Sequence, residues 1–94
     1  MEERSTAKIA LELEGEKRLL VKADADIEAG LARIRNQRDL LSSLEAAGAN
    51  SRKAERLAEL MEQTLAEWQR HRALIEQRIA HLEHEVLPYR LGVC

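Results

Sequence analysis

The chain has 94 residues, 45% of them apolar and 34% charged, which leaves room for one domain and excludes a disordered tail. Phe is absent and Trp68 and Tyr89 are the only aromatics, so a thick globular core is excluded, while the Leu, Ala and Ile content suits narrow seams between helices. The 15 basic and 17 acidic residues are interspersed to a net charge of -2, which leaves no basic face to neutralise phosphates, and nucleic acid is not expected as a partner.

The opening Met-Glu-Glu-Arg-Ser-Thr lacks the basic and apolar regions of a secretory signal, and no apolar run approaches the roughly 20 residues that cross a bilayer. Cys94 stands alone, so neither an internal disulfide nor a zinc pattern can be drawn. A cytoplasmic location without membrane insertion is expected.

Residues from about 3 to 47 are mostly strong helix formers, and an apolar series runs through them at alternating steps of four and three. It reads Ile9, Leu13, Glu16, Leu20, Ala23, Ile27, Gly30, Ile34, Gln37, Leu41 and Leu44, the seam of a coiled coil interrupted at Glu16, Gly30 and Gln37. Gly15 and Gly30 each weaken the helix locally by about 1 kcal/mol relative to alanine. Asp24 and Asp26 offer a break into two shorter helices, because Asp caps helices better than it fills them. The unbroken seam favours one long helix instead.

The turn is expected at about residues 48 to 50. Gly48 can take the left-handed conformation that closes a helix, and Asn50 can accept a bond from the free amides of the next one. A second arm over about 51 to 87 carries the seam Ala54, Ala58, Met61, Leu65, Trp68, Arg72, Ile75, Ile79, Leu82 and Val86. An acidic edge of Glu55, Glu62, Glu76 and Glu83 runs beside it. Pro88 is expected to end this helix and leave a short tail over 88 to 94.

Folding the chain back at Gly48 makes an all-α protein of two long antiparallel helices, a coiled-coil hairpin occupying 1 to 94 as a single domain. Seam packing then sets Ile34 near Leu65, Leu13 near Val86 and Gly30 against Trp68, so that an absent side chain meets the largest one. Arg38 approaches Glu62 and Lys17 approaches Glu83, whereas Asp24 with Glu76 and Glu45 with Glu55 form like-charge mismatches. Two helices alone bury little, and further apolar residues border the seams: Leu57, Leu60 and Leu74 on the second arm, Leu31 and Leu40 with Leu11 and Leu19 on the first. These form the expected interaction surface, through which two hairpins pair as a four-helix homodimer or one hairpin meets another helical protein.

Candidate chemistry is sparse. His81 and His84, three residues apart, could ligate a metal, and Arg72 in the seam could bind an anion, which defines an alternative role as a small ligand- or metal-sensing module. Solvated histidines are the simpler reading, as is an Arg72 whose guanidinium fixes register by reaching water or a carboxylate among Asp24, Asp26 and Glu28, and Glu16 and Gln37 are read as register-setting too. No catalytic triad, glycine-rich phosphate loop or metal motif can be placed, so no cofactor and no enzymatic activity are expected.

The run from Ala23 through Ile27, Gly30, Arg33-Ile34, Gln37 and Leu41, continued by Leu44, Gly48, Ala54, Leu57, Leu65, Trp68, His71-Arg72 and Ile75, resembles short uncharacterised helical-hairpin proteins of bacteria. The resemblance covers roughly residues 23 to 80. It implies a hairpin fold and a bacterial context, and no catalytic or binding residue. The expected function is a non-catalytic structural or regulatory interaction protein.

Overall fold

The computed structural model describes residues 5–90, with side chains through Glu85. Cys94 and the side chains of Val86 and Tyr89 lie outside the described residues. The protein is all-α, with two helices packed against each other: α1, Thr6–Ala46, and α2, Arg52–Arg90. No break occurs at Asp24, and α1 is continuous for 41 residues. At about 1.5 Å per residue such a helix is roughly 60 Å long. The molecule is accordingly a rod, with principal extents of 69 × 23 × 16 Å.

Local chemistry sets three of the four helix ends. The Ser5 hydroxyl accepts from the Lys8 N–H at 3.1 Å and caps the start of α1. At the other end of α1, Gly48 takes φ 69, the Gly48 N–H donates to Glu45 O at 3.1 Å, and the Ala49 N–H donates to Leu44 O at 3.0 Å. This pair of bonds is the Schellman closure, which satisfies carbonyls that a helix end would otherwise leave bare. Asn50 Oδ1 accepts from the Arg52 N–H at 3.1 Å, and the Glu55 N–H to Ser51 O bond at 2.9 Å begins α2.

Pro88 does not end α2, which continues through Arg90. A proline lacks one backbone donor, and in the last turn of a 39-residue helix that loss touches a single bond of a ladder already committed.

The buried side chains are Ile9, Leu13 and Leu41 on α1 and Ala58, Ile75 and Leu82 on α2, all of them seam positions. At the end of the rod remote from the turn, Ile9, Leu13 and Leu82 form one cluster with Ile79 packed against it. Leu13 shares this cluster with Leu82, and the expected approach of Leu13 to Val86 falls on a side chain outside the described residues. A Cβ built at Gly30 would lie 3.8 Å from Leu65 Cδ1 and touch nothing else. The glycine thus sits beside Leu65, and Trp68 stands further along the same hollow, still 36% exposed. Seam residues nest between two residues opposite rather than facing one, which accounts for the offset at Gly30.

Candidate interaction surface

The seams divide the hairpin into two flanks of different character. One is built from the positions directly after a seam residue: Asp24 and Arg38 on α1, Glu62 and Glu76 on α2. Two of its α1 charges, Asp24 and Arg38, find partners across the helices. Arg38 bonds Glu62, and Arg72 reaches out of the seam to bond Asp24 through Nε and Glu76 through Nη1, the latter at 2.6 Å. The like-charge mismatch expected between Asp24 and Glu76 is therefore a pair of acids sharing one arginine. The hydrogen bond to Asp24, assisted by the charges of Asp24 and Glu76 and opposed by partial desolvation, raises the Arg72 pKa further above its ordinary value. Two carboxylates thus take two of the guanidinium's five donors and offset its charge.

The other flank is built from the positions directly before a seam residue. On α1 these are Glu12, Leu19, Asp26, Arg33 and Leu40, each seven residues after the last. On α2 they include Leu57, Thr64, His71 and Arg78, with Leu60 and Leu74 adjacent. Leu19, Leu40, Leu57, Leu60 and Leu74 are each between 46% and 52% exposed, half-buried by the hairpin and half offered to solvent. Burying such a side chain completely contributes roughly 1.5–3 kcal/mol, so a useful fraction of that remains to be gained on this flank.

Three hollows open along the same flank. The largest, about 680 Å³, lies near the open end between Gly15, Glu16 and Leu19 on α1 and Leu74, Arg78 and His81 on α2. A second of about 230 Å³ lies towards the turn between Gly30 and Arg33 and the side chains of Leu57, Leu60, Thr64 and Trp68. A small one of about 80 Å³ joins them between Ala23, Asp26, Trp68 and His71. Missing side chains open the two larger hollows, because no atom lies within 4 Å of a Cβ built at Gly15 and only Leu65 does at Gly30.

The polar seam residues find partners across the helix pair. Arg78 Nε donates to Glu16 Oε1 at 2.8 Å, and Gln37 Nε2 donates to the Ala54 carbonyl at 3.0 Å. His81 Nε2 lies 2.7 Å from Glu85 Oε1, one turn along α2, and His84 is exposed. No group of three or more His, Cys, Asp or Glu placed to hold a metal occurs among the described residues. None of the described helices is long and apolar enough to cross a membrane.

Of the residues expected to form an interaction surface, Leu40, Leu57, Leu60 and Leu74 come together on the hollowed flank. Leu31 lies on the ion-paired flank, in the row of Asp24 and Arg38. Leu19 belongs with the first group. The signal that separates them is one of offset: Leu31 follows its seam residue Gly30, whereas Leu19 and Leu40 precede theirs, Leu20 and Leu41. Among the residues expected to pack the seam, Gly30, Ile34, Leu65 and Arg72 are partly buried, with Trp68 at the rim. Comparison of the chain with protein families, curated proteins and solved structures found no match.

Proposed function

We propose that the protein is a non-catalytic helical interaction protein of the cytoplasm, a coiled-coil hairpin that self-associates through its hollowed flank into a four-helix homodimer. The observation that carries this reading is the asymmetry of the two flanks. Ion pairs of Arg38 with Glu62 and of Arg72 with Asp24 cross the helices on one, and the other holds five half-exposed leucines, four of them lining open hollows. Leu11, Val21 and Leu31 are exposed elsewhere, but five leucines on one side of a helix pair form the kind of apolar area that a second hairpin covers in a bundle. A structural or regulatory role follows, in which the assembled rod presents its ends and outer faces to other components.

Sedimentation equilibrium of the full chain tests the proposal. The expected result is a two-hairpin mass in the micromolar range, reduced towards one hairpin by Leu60→Asp or Leu74→Asp. A one-hairpin mass for the unaltered chain throughout that range would overturn it.

A further inference from the structure

We infer that the two hairpins of this dimer run in opposite directions, related by a two-fold axis that crosses the seam at the level of Gly30 and Leu65. The inference rests on the self-association proposed above and specifies its geometry. A two-fold axis that brings one flank onto a second copy of itself must lie in the contact plane. If it lies along the rod, the hairpins run parallel and each α1 covers the partner's α2. If it lies across the rod, they run in reverse, α1 on α1 and α2 on α2.

The leucines fit both arrangements, since parallel hairpins would set Leu19 by the partner's Leu74 and Leu40 by the partner's Leu57, and the charges in the α1 row decide between them. Leu19, Asp26, Arg33 and Leu40 are evenly spaced, and their midpoint falls between residues 29 and 30. Reversal about that point exchanges the ends of the row. Leu19 then meets the partner's Leu40, and Asp26 meets the partner's Arg33, each contact occurring twice. On α2 the half-exposed Leu57 and Leu74 have their midpoint between residues 65 and 66. Leu65 is the residue that a Cβ at Gly30 would touch, so the two midpoints, read from different helices, lie at one level of the rod. The same axis therefore pairs Leu57 with the partner's Leu74 and sets Leu60 against the partner's His71.

The charges supply the deciding argument. Arg33 is exposed and makes no ion pair among the described residues, while Asp26 bonds Lys22 through Oδ2 at 2.8 Å and keeps Oδ1 for another donor. In the reversed arrangement that donor is the partner's Arg33. The parallel arrangement instead carries Arg33 over the partner's Thr64 and Leu60, covering a cation without an acid to meet it. Trp68 flanks the axis and is the only tryptophan in the chain, so its emission reports closure of this face.

Charge exchange in the full chain provides the test, read by sedimentation equilibrium and by Trp68 emission against concentration. Asp26→Arg or Arg33→Asp alone should weaken the dimer by about tenfold or more, since each turns two attractive pairs repulsive. The double exchange keeps the net charge and should recover most of the affinity, together with the blue shift of Trp68. A disulfide measurement stands apart from affinity: in a Cys94→Ser background, Leu19→Cys with Leu40→Cys should oxidise to a covalent dimer, and Leu19→Cys alone should not. A one-hairpin mass for the unaltered chain would overturn self-association itself. A dimer that ignores the single exchanges, is not restored by the double one, or does not cross-link through the two introduced thiols would overturn the reversed arrangement alone.

Discussion

Arg72 holds a seam position where an aliphatic residue would ordinarily pack, and its guanidinium separates two acids that would otherwise face each other. Replacing it with Leu improves the seam and exposes that repulsion. Arg72→Leu should lower Tm at low ionic strength, with the gap narrowing as salt is added, and Asp24→Asn with Glu76→Gln in the same chain should close it. An unchanged or raised Tm for Arg72→Leu at low salt would show that the three charges contribute nothing. The glycines make a sharper contrast, because three of them differ in what their conformation demands. Gly48 has open space around it but φ 69, so Gly48→Ala should destabilise by about 1–2 kcal/mol through backbone strain alone. Gly15 is helical with open space, so Gly15→Ala should stabilise by up to about 1 kcal/mol. Gly30→Ala meets Leu65 at an ordinary 3.8 Å contact and should act like Gly15→Ala. Denaturant unfolding of the three variants, compared at one protein concentration, checks both signs.

At the scale of the helices, the ends are set by a few side-chain and turn contacts. Ser5→Ala removes the cap of α1 and should cost about 1 kcal/mol, with faster amide exchange confined to the first turns near Lys8 and Ile9. Uniform acceleration along α1 would contradict a local cap. The two helices and the place where the chain reverses are legible in sequence because they depend on short-range rules: a repeating apolar step, a glycine where φ must be positive, an asparagine where amides are bare. The passage of α2 through Pro88 is not, since the rule that proline ends helices describes a local conflict and the length of helix behind it decides the outcome. The Arg72 bridge is legible in half: its reach to Asp24 follows from its place in the seam, and its hold on Glu76 does not. A pairing scheme that matches residues in twos sees Asp24 against Glu76 and misses a third side chain long enough to reach both. The interaction surface is half legible for a related reason: apolar residues beside a seam are visible in the sequence, but Leu31 and Leu40 separate only when the side of the seam on which each falls is tracked.

For the whole molecule, the proposed pairing of hairpins would make stability and assembly one quantity. A hairpin with six buried apolar side chains among its described residues has a thin interior, and covering the hollowed flank adds to it by mass action. Tm should therefore rise with protein concentration, and the rise should vanish in Leu74→Asp. A Tm independent of concentration over the range where the dimer forms would separate folding from pairing.

The cluster of Ile9, Leu13, Ile79 and Leu82 lies at the end of the rod farthest from the turn, joining segments that are neighbours in space and almost the whole chain apart in sequence. Its consequence is mechanical. Tension applied between Ser5 and Arg90 would load this cluster before any other, then peel the helices apart one seam layer at a time towards Gly48. The rod would resist a sideways push along its length yet open like a zip under a small pull at that end, so the fold itself dictates from which end force can take it apart.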